Sequence, residues 1–473
     1  MSHIRTHSGV ALYQNASDFA DSGAWRGLSL SIVRLLCLLI VTICLSQFTS
    51  AATICRPVAD RPTPEAKLTP DLATAMRSGD RQQMVNFVAV MSDQVDPISL
   101  QVDVERITNE SGRPAARQYA KSFLKDLAQN SQGQVLAYLT QESELGRVES
   151  SQSLWIANAI IGRAEPVVIE ALAEYPEINR LLHDPIVDPE RQTDEVIPAA
   201  GRRALNSFEY VPPEQRDINW NLTMLGAPDL WSSGFTGEGI VVAVIDTGVD
   251  YTHSDLVNRM WINEDEIPWN EIDDDFNGFV DDTLGWNFIW NNNDPQGNGP
   301  ADHGTRCAGL VAGDGTGGTI TGVAPGAQIM ALKAAGIWSS IYLAIQYACD
   351  NNADIISMSV SQKWHFDPKP DYAFWRQITD GELAIGMFHA NSVGNEGDEQ
   401  HADPIPFNIG VPGSCPSPWV SPDQYLVGGV SAIVAAGSIG ANGLLSEYSG
   451  RGPSIWEDIS ANWPEYPHDM PAS

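Results

Sequence analysis

The apolar positions of this chain fall into two regimes. From Met84 to about Asp184, short apolar runs alternate with stretches at helical spacing. "MVNFVAVM" (84–91) predicts a strand. "RPAARQYAKSFLKDLAQNSQGQVLAYL" (113–139) predicts a helix, with Pro114 near its start, where the missing N–H costs nothing. "SLWIANAII" (153–161) predicts a strand, "EPVVIEALAEY" (165–175) a short helix with Pro166 in its first turn, and "INRLLHDPIV" (178–187) a last strand. With one more strand near residue 147, the order is β-α-β-β-α-β, the split ferredoxin-like motif. A small α+β module over residues 80–184 is the expectation.

Residues 185–218 break that pattern. Pro185, Pro189, Pro198, Pro212 and Pro213 punctuate polar residues and the pair Arg202–Arg203, as in an exposed linker. A new regime begins with "GIVVAVIDTGVD" (239–250). The apolar run Ile240–Ile245 is short and rich in branched residues, as a buried parallel strand requires, and it ends on Asp246. Strand-like runs recur at "AQIMALKAA" (327–335), "ADIISMSVS" (353–361), "LAIGMFHANSV" (383–393) and "QYLVGGVSAI" (424–433). Helical stretches lie between them at "HGTRCAGLVAG" (303–313) and "SSIYLAIQYACDNN" (339–352). This alternation predicts an α/β domain over residues 219–473, with a mostly parallel sheet and helices on both faces.

The N-terminus and the charge narrow the setting. Arg26 and Arg34 precede "LLCLLIVTICL" (35–45), and small residues end near Ala51 or Ala52. That order reads as a signal peptide within residues 1–52 and predicts a secreted, extracellular protein. The uninterrupted apolar run is short for a membrane span, so no membrane association beyond export is expected. The chain has 60 acidic against 27 basic residues, a net charge of −33. Such a surface repels nucleic acid and favours cations, calcium among them. Of six cysteines, Cys55, Cys307, Cys349 and Cys415 lie outside the signal segment, and no CxxC spacing suggests a metal site.

Three polar residues stand at strand ends or helix starts: Asp246, His303 at the head of "HGTRCAGLVAG", and Asn395 in "NSVGNEGD". A buried acid can hold an imidazole in one tautomer, the imidazole can take a hydroxyl proton, and an amide can donate to an oxyanion. The stretches "VIDTGVDYTHSDL", "HGTRCAG", "TGVAPGAQIMALKA", "ISMSVS", "SVGNEG" and "EYSGRGPS" occur in this order between Trp220 and Ser454. In them the chain resembles the subtilisin-like serine peptidases, or subtilases, and its longer arrangement, including "NWNLTMLGAPDLW" (219–231), is similar to bacillopeptidase F-like secreted proteases. The resemblance implies that Asp246 and His303 are the charge-relay pair and Asn395 the oxyanion donor. It also implies that Ser359, Val360 and Ser361 form the substrate-binding strand. Residues 80–184 are similar to the family's inhibitory propeptide, so the implied partners are protein or peptide substrates and the chain's own propeptide.

The chain departs from the family pattern in four places, one of them Ser361, which stands where glycine is common in the substrate-binding strand and so bears on specificity. Asp302 precedes His303 where small residues are usual, and could raise the imidazole pKa. Arg306 and Cys307 replace the commoner His and Val, a variant that the kexin-like branch also shows. Cys307 lies one helical turn from His303, as a buried small hydrophobe or a mercury-sensitive thiol. The largest departure is that the family's G-T-S-x-A-x-P, which carries the nucleophile, does not occur. The expectation is a precursor whose serine lies beyond residue 473, inactive in the present chain alone. The other reading is a catalytically dead member of the fold that only binds peptides or proteins.

One motif lies between Asp246 and His303. In "DDDFNGFVDD" (273–282), Asp273, Asp275, Asn277 and Gly278 fit the start of a calcium loop, and Asp281 or Asp282 could close it. The expected cofactor is a structural calcium, with Asp255 a further, weaker ligand candidate.

Overall fold

The computed structural model describes residues 55–56, 62–78, 83–185, 215–299, 302–363, 369–398, 408–415 and 431–452. The signal segment and most of the 185–218 linker lie outside these residues. The described residues from 56 onward belong to one compact unit. No helix among the described residues is long and apolar enough to cross a membrane.

The N-terminal part runs α1 (Pro64–Lys67), α2 (Pro70–Ser78), β1 (Val85–Met91), α3 (Pro97–Ser111), α4 (Arg113–Glu144), β2 (Val148–Leu154), β3 (Ala159–Ala164), α5 (Pro166–Ala173) and β4 (Ile178–His183). Its sheet is antiparallel in the order β2-β3-β1-β4, the order of the split motif. Phe87, Ala89 and Met91 alternate onto the core face of β1 and pack with Leu139, Ile160, Ile169, Leu172 and Leu181. Each large side chain buried there contributes about 1.5–3 kcal/mol. Leu72 of α2 belongs to the same core, and buried Lys67 donates to Ala173 O and Tyr175 O at the C-terminal end of α5. The module's packing therefore begins well before residue 80.

"SLWIANAII" is not one strand. β2 stops at Leu154, Trp155–Ala157 form a 3-10 turn, and Asn158 at φ 40° reverses the chain into β3. Asparagine tolerates this left-handed conformation because its short amide finds local partners. Here its Oδ1 accepts from Ser131 and Gln132, and its Nδ2 donates to Asp93 O.

The C-terminal part holds β5 (Val241–Asp246), β6 (Gly285–Asn287), α6 (His303–Ala312), β7 (Gln328–Lys333), α7 (Trp338–Asp350), β8 (Ile355–Met358), α8 (Tyr372–Ile385), β9 (Phe388–Ser392) and β10 (Ile433–Ala436). These strands form one parallel sheet of order β10-β9-β8-β5-β7-β6. Val242, Val244, Ile329 and Ala331 face Ala308 and Ala312 of α6. The alternate residues Ala243, Ile245, Met330 and Leu332 are buried as well, so both faces are covered. The expected strand at 383–393 differs: Leu383–Ile385 end α8, Gly386 caps it at φ 76°, and β9 starts at Phe388.

The two parts meet along α7. Asp184, just past β4, accepts from Ser339 N–H at the N-terminal end of α7. At the other end, Lys121 of α4 donates to Cys349 O, Asp350 O and Asn352 Oδ1, and Arg117 donates to Asn352 O and Ala353 O. The carboxylate sits at the positive end of the helix dipole and the cations at its negative end, both favourable. Midway, Gln346 accepts from Trp155 N–H at 2.6 Å and donates to Ser153 O.

Candidate active site

Strand order places the site. β7 lies on one side of β5, and β8, β9 and β10 lie on the other. The carboxyl end of β5 is therefore the switch point of the sheet, where open α/β folds leave a crevice. Asp246 occupies that end and is 1% exposed.

Two glycines let helix α6 reach it. A Cβ on Gly304 would lie 2.2 Å from Gly248 O and 3.0 Å from Asp246 Cβ, so only glycine admits the approach. Gly248 itself has φ 108°. Thr247 Oγ1 then accepts from Gly304 N–H, and Thr305 Oγ1 from Asp250 N–H, stitching the helix start to the strand end. The result is a hydrogen bond of 2.7 Å between His303 Nδ1 and Asp246 Oδ1. Oδ1 also accepts from Thr247 N–H at 2.7 Å, while the buried Oδ2 has no hydrogen-bond partner among the described residues. Cys307 Sγ lies 3.8 Å from the same ring nitrogen.

Burial of the His303 ring disfavours its charged form. The hydrogen bond and charge of Asp246, with Cys307 adding to them, outweigh that and hold its pKa above the ordinary imidazole range. Asp302 is not among the causes: its carboxylate accepts from Asn298 N–H, and it stands at the N-cap position of α6. The expectation that Asp302 would raise the imidazole gives way to Asp246.

Ser359, Val360 and Ser361 follow β8 at the same carboxyl end of the sheet as Asp246. Ser359 is half-buried, while Val360 and Ser361 are each 1% exposed. Asn395 is half-buried in the turn after β9, two strands from β5. Two features here carry no sequence signal strong enough to find. Buried Asn391 donates to Met358 O and Val360 O and accepts from Gly413 N–H, so one amide holds the extended segment. Buried Lys363 pairs with Glu396 at 2.6 Å, flanking Gly394 next to Asn395.

The acidic loop sorts its own carboxylates. Oxygens of Glu266, Asp275 and Asp282 lie within 4.8 Å of one another. The amide of Asn263 donates to Asp275 and Asp282, as does that of Asn277. Asp273 instead accepts from Asn277 N–H and Gly278 N–H, and Asp281 from Asn270 N–H and Glu271 N–H. The structure thus brings together Asp275, Asn277 and Asp282 and adds Glu266 and Asn263, while Asp273 and Asp281 hold turns. Burial pushes the Asp282 carboxyl up, against hydrogen bonds from Tyr347, Asn277 and Asn263. Asp255 accepts from Gly317 N–H elsewhere.

Comparison with known proteins agrees with this geometry. A sequence profile of the subtilase family matches residues 237–465. Bacillopeptidase F of Bacillus subtilis is 25% identical over 407 residues, which is 81% of this chain and 26% of that protein. The minor extracellular protease Vpr of the same organism is 30% identical over 213 residues, 44% of this chain and 23% of Vpr. Subtilisin E, also from B. subtilis, is 26% identical over 245 residues, 51% of each chain. The chain thus spans about a quarter of the length of the first two relatives.

Proposed function

Since residues 237–465 form a domain of the subtilase family, we propose that this chain is the precursor of a secreted serine endopeptidase. The carrying observation is the 2.7 Å bond from His303 Nδ1 to buried Asp246 at the switch point of the sheet. In the neutral ring, a proton held on Nδ1 leaves the Nε2 lone pair to take the proton of a serine hydroxyl. Asp246 then stabilises the imidazolium without taking the proton itself. Asn395 donates to the oxyanion as the carbonyl becomes tetrahedral. A peptide substrate lies extended beside Ser359–Ser361, pairing backbone to backbone.

Among the described residues the His303 ring hydrogen-bonds to Asp246 and Cys307 and to no hydroxyl. The nucleophile of the proposed reaction is a serine in the G-T-S-x-A-x-P context, which residues 1–473 do not contain. The 80–184 module acts as the inhibitory propeptide. Its contacts at both ends of α7 and the position of Asp184 support this role. The leader within residues 1–52 directs export, and the −33 charge keeps the protein off nucleic acid.

Calcium belongs to the same proposal. The carboxylates of Glu266, Asp275 and Asp282 offer oxygen ligands, which is the chemistry a hard cation takes, and the Asn263 and Asn277 amides orient two of them by donating to Asp275 and Asp282. The bound ion would pin the loop that follows Asp246.

The test is a fluorophosphonate probe on the protein as produced from its gene, followed by mapping of the modified residue. The expected result is one labelled serine in G-T-S-x-A-x-P, dependent on His303, and no label within residues 1–473. Label on a serine within residues 1–473 overturns this assignment. No labelled serine at all favours the peptide-binding, catalytically dead reading.

A further inference from the structure

We propose that the outer face of the loop 262–282 is a docking surface for a basic polypeptide segment, one in which Lys or Arg is interleaved with apolar residues. The loop is built inside out. Its buried members are polar: Asn263, Glu266, Asp281 and Asp282. Glu266 accepts from the N–H groups of Asp274, Asp275 and Asp281, and Asp281 from those of Asn270 and Glu271, so carboxylates stand where a core would. Its exposed members are apolar: Ile262, Ile267, Trp269, Ile272 and Phe276. Apolar residues scattered singly over a surface are ordinary, but this many on one short loop mark a place of contact.

Two of them are held outward against the preference of the backbone. Trp269 at φ 65° and Phe276 at φ 58° lie in the left-handed region, which bulky side chains avoid and glycine enters freely. They are 85% and 89% exposed, so packing within the chain does not repay the strain. A partner that covers the two rings would.

Charge selects that partner. Residues 262–282 contain nine acidic residues and no Lys or Arg, and Glu264, Asp265 and Glu271 are exposed beside the apolar side chains. Aromatic faces attract ammonium and guanidinium groups, and the neighbouring carboxylates add to that attraction. The same charges repel an anionic lipid surface. The patch also continues an interface already present. Ile262, Glu264, Asp265 and Phe276 border a groove of about 900 Å³ whose other wall carries Lys121 and Lys125 of α4. Those two cations are engaged at the end of α7, Lys125 with Asp350 and Lys121 with backbone carbonyls, which leaves the acids of the loop for a partner from outside. Binding here requires neither turnover nor bound calcium.

The experiment follows the fluorescence anisotropy of a dye-labelled amphipathic Lys/Leu peptide as the full chain is added, beside a Glu/Leu peptide of the same pattern. Co-sedimentation with phosphatidylcholine vesicles tests a lipid surface instead. The expected result is binding of the Lys/Leu peptide, weakened by salt, and no binding of the Glu/Leu peptide. The double variant Trp269→Gly/Phe276→Gly should bind more than about tenfold more weakly, yet melt at or above the wild-type temperature, because glycine suits both backbone positions. Trp269→Phe should keep the affinity. Adsorption to the acidic chain at large, or binding beside Ser359–Ser361, would survive the double substitution. Should that variant fail to fold, Glu264→Gln/Asp265→Asn/Glu271→Gln takes its place, with the same loss expected. No binding of the Lys/Leu peptide, equal affinity for the Glu/Leu peptide, vesicle binding in place of peptide binding, or unchanged affinity in the variant overturns the proposal.

Discussion

Asp246 does its work through one oxygen, and that makes it testable by the smallest of changes. Asp246→Asn keeps the shape of the side chain but can offer an N–H towards Nδ1, favouring the tautomer with its proton on Nε2. In the protein carrying the serine, turnover is expected to fall about 10⁴-fold. Asn395→Ala should cost less, about 10²–10³, because backbone donors remain. Both variants should bind a peptide inhibitor nearly as wild type does, since the losses fall on the transition state. Comparison of turnover with inhibitor affinity checks this, and full activity in Asp246→Asn would remove the assignment. The placement of Asp246 and His303 is readable in sequence because it is set locally: a strand ends, a helix begins, and glycines stand where only glycine fits. Asn391, Lys363 and Glu396 are not readable in that way. Each acquires its role from a residue at least 20 positions distant, and nothing in the flanking pattern announces it.

At the scale of elements, the acidic loop shows what spacing can and cannot convey. The motif correctly marks a turn at Gly278, with φ 94°. It does not say which carboxylates aim inward. That is set by left-handed residues such as Glu271, Phe276 and Asp281, at φ 60°, 58° and 55°, and by Glu266, outside the motif. Long periodic elements are easier: α4 and β5 stand where their patterns put them. Helix α8 escapes because "LAIGMF" runs its apolar residues across the boundary between helix and strand. The loop also leans on α7. Tyr347 donates to Asp282 at 2.6 Å, and Phe279 packs edge-on against Trp286 and Tyr347. Calcium that binds only the folded loop should therefore raise the melting temperature of the whole unit. Asp275→Ala should abolish the calcium dependence. Identical melting curves in chelator and in millimolar calcium, for wild type and variant alike, would leave the loop without its ion.

For the molecule as a whole, the junction between the N-terminal module and the C-terminal part is where pH should act. Asp184 is fully buried at that junction, and burial raises its pKa to about 6 against hydrogen bonding from Ser339. A carboxyl raised on folding prefers the protonated folded state. Its contribution is fully present below the unfolded value of 3.8 and is lost as pH rises through about 6. The difference corresponds to about 3 kcal/mol. Melting of the full chain followed from pH 4 to 8 should show this loss in wild type. Asp184→Asn should remove the slope and be the more stable of the two at pH 8, because its amide oxygen still accepts from Ser339. An unchanged slope in the variant would place the pH dependence elsewhere.

The grip on α7 from both ends has a further consequence. Asp184 and Lys121 belong to one folded module, so the gap between them is fixed before they meet the helix. The helix between those contacts has 13 residues, about 20 Å at the usual rise. The module therefore acts as a calliper. It accepts one helix length and one rotational phase. A single inserted residue would push the far end along by about 1.5 Å and turn it by about 100°, so one jaw would have to open. Insertions and deletions within α7, a helix buried along nearly its whole length, are measured against the module each time the chain folds.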